Sequence, residues 1–150
     1  MQQVEIKQVT VLPQQILALE KEATLEGFRF LTRLITEWNT GENRFDAPGE
    51  CLMAAYLSGS LVGVGGLSID PYAQEDIGRL RRVYVSRSSR GQNIGRSLVN
   101  QLLEYAAGRF RVVRLSTDTS SGAAFYVSCG FQLLNDDHAT HMKILTDTPS

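Results

Sequence analysis

The chain has 150 residues, of which 43% are hydrophobic and 21% charged, and its formal net charge is -1 at pH 7. This length fits one domain over residues 1–150 with a sizeable core, and the composition is that of a globular rather than a disordered protein. The near-neutral charge excludes nucleic-acid binding driven by bulk phosphate neutralisation. Basic residues can therefore act only as a local cluster.

The N-terminal segment lacks the apolar core of a signal peptide, and no apolar run approaches membrane-spanning length. The two cysteines, Cys51 and Cys129, have neither CxxC nor metal-site spacing, so we expect two reduced, buried thiols. The sequence thus predicts a cytoplasmic protein that binds neither nucleic acid nor membranes. It leaves a homodimer open.

The first half of the chain predicts one strand, two helices and a hairpin. Apolar residues alternate in the opening segment, recur at helical spacing after Pro13, and then form two strand-like runs joined by Ser-Gly-Ser. These elements are a strand over 4–12, helices over 16–25 and 28–38, a polar loop over 39–50, and strands over 51–57 and 61–70.

The second half predicts alternating strands and helices, with the longer helix bearing apolar residues on one face. We expect strands over 79–85, 111–117, 131–135 and 141–145, and helices over 94–108 and 121–130. The resulting order, β-α-α-β-β-β-α-β-α-β-β, indicates a mixed α/β layout.

The stretch SRSSRGQNIGRSL, residues 86–98, joins a strand to a helix and predicts an anion site. Backbone N–H groups at a helix start have no internal partner, and the helix dipole adds positive potential there. Gly91 and Gly95 would let an anion approach the backbone, while Arg90 and Arg96 add charge and donors. We expect a diphosphate site; the alternative is a tight connection with solvated arginines.

Two other phosphate-binding motifs do not fit. A P-loop needs a Gly-Lys-Ser/Thr ending, which is absent. The run GVGGLS, residues 63–68, lacks the third glycine of a dinucleotide-binding fingerprint and precedes a turn at Pro71 rather than a helix.

RGQNIGRSL, residues 90–98, resembles motif A of the GCN5-related N-acetyltransferases, whose pattern is Arg/Gln-x-x-Gly-x-Gly/Ala. Arg90 and Gly95 match, and Asn93 stands at the middle glycine, where its tolerance of left-handed geometry preserves the loop. AAFYVSCGF, residues 123–131, is similar to the later signature of the family, a helix that carries Tyr and ends at Gly-Phe. The element order fits the family from Val4 to Leu145.

This resemblance implies a single-domain α/β fold with a mixed, mostly antiparallel central sheet flanked by about four helices. It implies transfer of an acetyl group from acetyl-CoA to a primary amine of a small molecule or peptide, by direct attack on the thioester and without a metal. The alternative is a non-catalytic acyl-CoA-binding or sensor domain.

The resemblance also assigns cofactor contacts. It places the pyrophosphate at the loop and helix start, the pantetheine arm along the preceding strand edge, and a further contact near Thr119; these residues are Val83, Tyr84, Val85, Arg90, Gly91, Gln92, Asn93, Ile94, Gly95, Arg96 and Thr119. The Val85 N–H is the implied donor to the thioester oxygen. Tyr126 is the implied acid for the leaving thiolate; the alternative is a core aromatic.

The usual general base of the family, a Glu, is replaced by Arg79, which stays protonated. Asp70, Glu75 and Asp76 flank this strand and are substitutes, as are a water chain or an amine that is already neutral. Strand alternation predicts one face with Arg79, Arg81, Val83 and Val85 and the other with Leu80, Arg82 and Tyr84. We hypothesise that Arg79 attracts an anionic group of the acceptor, the alternative being a pair with Asp70 or Asp76.

The resemblance nominates an acceptor site formed by the first two helices and their loop, with Phe28, Trp38, Asn43, Arg44, Phe45 and Arg79. The alternative for these residues is core and loop packing. The segment DDHATH has the metal-ligand types Asp136, Asp137, His138 and His141 but no helix-borne HExxH. We expect a polar hairpin tip there and no metal.

Overall fold

A computed structural model describes residues 3–74 and 76–145. It confirms the predicted order of elements and the α/β fold class. The helices are α1 (Ile16–Leu25), α2 (Phe30–Thr40), α3 (Ile94–Ala106) and α4 (Ser120–Ser128), and a 3₁₀ turn spans Arg87–Ser89. The strands are β1 (Val4–Gln8), β2 (Cys51–Leu57), β3 (Ser60–Ile69), β4 (Ile77–Val85), β5 (Val112–Leu115), β6 (Gln132–Leu133) and β7 (His141–Ile144).

The strands form a seven-stranded sheet in the order β1-β2-β3-β4-β5-β7-β6. Every neighbouring pair is antiparallel except β4 and β5, which run parallel. The β4–β5 ladder has three residue pairs and ends at Arg79 opposite Arg114. Beyond that point the two strands diverge, which opens the sheet at its centre.

Helices cover both faces of the sheet. Apolar residues of α3, such as Leu98 and Leu102, pack on one face together with Leu67 and Leu80. On the other face, α1 and α2 pack through residues such as Leu34 against Val64 and Tyr84. Phe125 and Tyr126 of α4 join the cluster on the α3 face.

The glycine-rich run of β3 serves packing, which confirms that it is not a dinucleotide-binding loop. A Cβ on Gly65 would lie 2.9 Å from the Leu102 side chain, and one on Gly66 would lie 2.6 Å from the Phe45 ring. The predicted β2–β3 hairpin is confirmed, with Ser58 and Gly59 both at positive φ in its turn.

Both cysteines are free and buried, as predicted. Burial raises the pKa of the Cys51 thiol to about 12, so this thiol stays protonated near neutral pH. None of the helices within residues 3–74 and 76–145 is long and apolar enough to cross a bilayer.

Candidate active site

The divergence of β4 and β5 opens a cleft of about 1240 Å³. One wall is the α1–α2 connection with the start of α2, and the other is the segment from Leu115 through α4. The floor is the stretch Arg79–Val85 of β4, and the start of α3 closes one end. The cleft therefore brings together the unpaired edge of β4, the start of α3 and the two walls.

The backbone of Val85 faces this cleft. The Ser86 N–H donates to the Val62 carbonyl of β3 at 2.7 Å, and consecutive residues of a strand direct their N–H groups to opposite edges. The Val85 carbonyl accepts from Arg90 Nε at 3.0 Å, on the side away from β3. The predicted position of the Val85 N–H thus agrees with the geometry of the strand.

The loop between β4 and α3 has the conformation that the sequence predicted. Asn93 has φ +64 and directly precedes α3, which confirms its left-handed geometry, and Gly91 has φ +84. No side chain of the described residues caps the α3 N-terminus, so the first N–H groups of the helix remain available for an anion.

Gly95 also allows close packing, a role that could not be predicted from the sequence. A Cβ there would lie 3.3 Å from the Phe125 ring and 3.5 Å from Val85 Cγ2. Its missing side chain therefore lets the first turn of α3 approach both α4 and the end of β4.

Arg90 lines the cleft, but other protein groups hold its guanidinium. Its two terminal nitrogens donate to Glu26 at 2.9 and 2.7 Å, and Tyr84 donates to the same carboxylate at 2.5 Å. Hydrogen bonds from Arg90 and Tyr84 lower the pKa of Glu26 to about 2. Burial and Glu26 raise the pKa of Tyr84. Arg90 thus has an acidic protein partner in this structure, and its contact with a diphosphate stays a prediction.

Arg96 is held in a similar way. Its guanidinium donates to the backbone carbonyl of Ser128 at 2.8 Å and to the Ser128 hydroxyl at 3.0 Å, which ties α3 to the end of α4. Gln92 is exposed outside the cleft lining, whereas Ile94 lies within it. The two arginines of the loop thus have protein partners, whereas the backbone N–H groups at the start of α3 have no side-chain cap.

Tyr126 lies in the cleft wall on α4. Its ring packs edge-on against Phe125 and Phe131, with centroids 5.0 and 5.7 Å away. The Phe131 N–H donates to the Tyr126 carbonyl, and Gly130 has φ +97, as in a glycine-terminated helix. Burial raises the pKa of the Tyr126 phenol, and no described residue hydrogen-bonds its hydroxyl. The Tyr126 ring is thus fixed by packing, and its hydroxyl is protonated and has no hydrogen-bond partner among the described residues.

Thr119 lies in the cleft but also caps α4. Its side-chain oxygen accepts the Gly122 N–H at 3.0 Å, as expected for a helix N-cap. The hydroxyl retains its proton for a second hydrogen bond. Asp118, which precedes it, is exposed in the cleft lining and was not identified from the sequence.

A bulge in β4 makes the predicted face alternation wrong past Arg81. Gly66 pairs with Arg81 and Val64 with Tyr84, so two residues of β4 stand opposite Gly65. Arg82 adopts φ +60 at this bulge. As a result, Val83 packs with Leu80 on the α3 face, and Tyr84 packs on the α1–α2 face.

Arg79 is in the cleft, but the structure supports the alternative role considered for it. Its guanidinium lies 3.3 Å from the buried carboxylate of Asp70 and donates to Ser116 Oγ at 2.9 Å and the His138 carbonyl at 2.7 Å. Arg114 Nε lies 3.1 Å from the same Asp70 oxygen. The hypothesis that Arg79 meets an acceptor anion is therefore corrected.

Of the proposed substitute bases, Asp70 and Asp76 lie outside the cleft lining. Asp70 is occupied by two guanidinium groups and the Tyr72 N–H. Asp76 accepts from Arg111 Nε at 2.9 Å, outside the cleft lining. Glu75 lies outside the described residues.

Only part of the predicted acceptor site lies in the cleft. Phe28 lines it, together with Phe30 and Tyr72, which the sequence analysis did not identify. The other nominated residues lie outside the cleft lining; they are Trp38, Asn43, Arg44 and Phe45. Phe45 is buried against Gly66, Arg44 Nε donates to the Trp38 carbonyl at 2.8 Å, and the Asn43 side chain accepts the Phe45 N–H at 2.9 Å.

The side chains considered for a metal separate in the structure. Arg114 donates to Asp136 at 3.1 Å, the His138 ring stacks on Tyr72 with centroids 4.0 Å apart, and His141 is buried beside Thr140. Among residues 3–74 and 76–145, no three such side chains form a metal-binding group.

Comparisons with known proteins agree with the resemblance to the GCN5-related N-acetyltransferases. The model of the acetyltransferase (GNAT) family matches residues 14–131. N-alpha-acetyltransferase RimI from Mycobacterium tuberculosis is 31% identical over 90 residues, which are 57% of this chain and 54% of that protein. The chain therefore spans about half the length of the curated relative that it matches.

Solved structures share the fold along nearly the whole chain. A provisionally assigned acetyltransferase from Exiguobacterium sp. 255-15 superposes with a TM-score of 0.86 at 25% identity, covering 95% of this chain and 93% of that one. A ribosomal-protein-alanine N-acetyltransferase from Brucella melitensis gives 0.70 at 21% identity, covering 94% and 99%. The family match over residues 14–131, together with the open sheet and the α3 loop, shows that the chain belongs to the acetyltransferase (GNAT) family.

Proposed function

We propose that the protein transfers the acetyl group of acetyl-CoA to a primary amine. The observation that carries this proposal is the cleft between β4 and β5. It combines the uncapped start of α3, the edge of β4 at Val85 and the hydroxyl of Tyr126. The backbone at Gly91 and Asn93 leaves N–H groups for a diphosphate, so the residues present fit this cosubstrate.

When bound, acetyl-CoA supplies the thioester carbon to which the amine nitrogen bonds as the carbon–sulfur bond breaks. The Val85 N–H donates to the thioester oxygen as negative charge develops there, and such a donor contributes roughly 3 kcal/mol in a water-excluding site. The Tyr126 hydroxyl donates its proton to the departing sulfur.

The proton of the attacking amine needs a different acceptor. Arg79 is always charged and cannot take it. Asp118 is the carboxylate among the described residues of the cleft lining, and we assign the proton to it, directly or through water.

Release of free thiol from acetyl-CoA, measured over a panel of amines, amino acids and peptides, tests the proposal. Tyr126→Phe should lower kcat by about 100-fold, the lower range for general acid catalysis, with CoA affinity close to wild type. Tyr105→Phe, which removes a hydroxyl from α3 outside the cleft lining, should keep the wild-type rate. A Tyr126→Phe variant with full kcat would return Tyr126 to a packing role.

A second candidate is acyl-CoA binding without turnover. The observation that favours it is the arginine at position 79, where many family members carry the base. Calorimetric binding of CoA combined with no thiol release on any amine would support this candidate over the first.

A further inference from the structure

The cleft is strongly basic. Among the described residues that line it, seven are arginines and one, Asp118, is a carboxylate. Four of these guanidinium groups are held by other protein groups: Arg79 by Asp70, Arg82 by Glu37, Arg90 by Glu26, and Arg96 by Ser128. Within residues 3–74 and 76–145, the side chains of Arg29, Arg33 and Arg81 have no hydrogen-bond or ion-pair partner.

Arg81 is the notable member of the unpartnered group, because it is only partly exposed. It lies on β4 between Arg79 and Arg82, both of which already have acidic partners at 3.3 and 3.1 Å. Burial, and then the charge of Arg82, lower the pKa of Arg81. The charge of Glu37 acts on Arg81 in the opposite direction, but Glu37 forms its ion pair with Arg82. Arg81 is therefore a partly desolvated cation without an ion pair of its own, and an incoming anion would relieve that cost.

The surroundings of Arg81 suit a small organic anion. Arg79 and Arg81 share the strand face turned toward α1 and α2, because Leu80 between them packs on the α3 face. Arg29 and Arg33 lie at the exposed start of α2, across the same cleft. Phe28, which also lines the cleft, adds an apolar surface, and a guanidinium binds carboxylate or phosphate through two parallel hydrogen bonds.

Arg81 also lies away from the expected diphosphate position. The α3 N-terminus follows Val85, whereas Arg81 precedes Val85 by four residues, about 13 Å of strand. A cation at this point of β4 is on the far side of the reacting centre from the helix start.

We propose that Arg81 binds an oxyanion, a carboxylate or a phosphate, carried by the amine acceptor. The acceptor class is then the anionic amine rather than the polyamine. This inference rests on the proposed function and adds a substrate class to it.

Matched acceptors test the inference. We would compare an amino acid with its decarboxylated amine, and phosphoethanolamine with ethanolamine, in wild type, Arg81→Gln and Arg81→Lys. Arg81→Gln should lower kcat/KM for the anionic acceptors about 10- to 100-fold, as expected for hydrogen bonds to a charged group, and leave the neutral partners nearly unchanged. Arg81→Lys should retain part of the preference. The two acceptor pairs distinguish carboxylate from phosphate.

Arg111→Gln is the matched control, because it removes the same charge from a pair with Asp76 outside the cleft. It should keep the wild-type preference. Circular dichroism and the Tm show whether each variant is folded.

Calorimetric titration of the same amines into CoA-loaded protein distinguishes the proposed acetyl transfer from the proposed anion binding by Arg81. If no amine is acetylated but anionic amines bind wild type and not Arg81→Gln, the proposed transfer fails and the inference stands. The inference is overturned if both proteins share one acceptor preference, if polyamines are the best substrates, if no anionic amine binds, or if Arg81→Gln loses CoA affinity. Thiol release then still reports on the transfer itself.

Discussion

The two ends of the cleft use arginine in opposite ways. At the α3 end, Arg90 and Arg96 are held by Glu26 and Ser128, and backbone N–H groups remain for the ligand. At the other end, the Arg81 side chain has no hydrogen-bond or ion-pair partner among the described residues. An arginine that lines a cleft therefore indicates an anionic ligand only where no other protein group pairs with its guanidinium.

The largest effect at the α3 end is expected from Gly95→Asp. The new side chain would meet Phe125 and Val85 within 3.5 Å and would place a negative charge at the anion site. CoA affinity measured by calorimetry should fall about 30-fold or more, since juxtaposed like charges cost several kcal/mol. Asn100→Asp adds the same charge to the exposed face of α3 and should keep wild-type affinity. Normal CoA binding by a folded Gly95→Asp variant would place the diphosphate elsewhere.

A smaller effect, of a different kind, is expected from Arg90→Gln. This change removes the partner of Glu26, so the free energy of unfolding should drop by about 1 kcal/mol, as for a partly exposed ion pair of good geometry. CoA affinity should stay close to wild type, because the backbone binds the diphosphate. Intact stability with weakened CoA binding would show that Arg90 binds the ligand, and the two ends of the cleft would then use arginine in the same way.

The smallest effect concerns pH. Hydrogen bonds from Arg90 and Tyr84 lower the pKa of Glu26 from 4.5 to about 2. A lowered folded-state pKa contributes stability that is fully present above about pH 4.5 and is lost as the pH falls toward 2. Denaturant unfolding across this window should show that loss in wild type and a shallower one in Glu26→Gln. Parallel curves for the two proteins would contradict the assignment.

Much of the fold could be predicted because it depends on local sequence patterns. Hydrophobic periodicity placed α1, α2 and α3, the Tyr-Gly-Phe signature placed α4, and the left-handed conformation of Asn93 followed from its residue type. Gly130 was expected to end a helix, and the structure confirms this with φ +97. These features depend on a few neighbouring residues and their backbone energies, so a sequence displays them.

The candidate site was less predictable because its charges are set by distant partners. Asp70 and Arg79 are nine residues apart, but Glu37 and Arg82 are separated by 45 and Glu26 and Arg90 by 64. Ion pairs between residues so far apart in the sequence cannot be predicted from a local pattern. The prediction of Asn43, Arg44 and Phe45 for the acceptor site missed the cleft for a related reason, since the loop that carries them packs through Phe45 against the sheet at Gly66.

The sequence by itself determined the order of elements, the glycine-containing loop before α3 and the tyrosine-bearing helix α4, because each rests on short-range sequence patterns and conformational preference. The tertiary structure decided which arginines of the cleft have protein partners and which face of β4 each side chain occupies. A single inserted residue at the Arg82 bulge reverses the alternation that follows it. Charge pairing and strand register depend on chain segments that meet only when the sheet is assembled, and this is why they could not be predicted from the sequence.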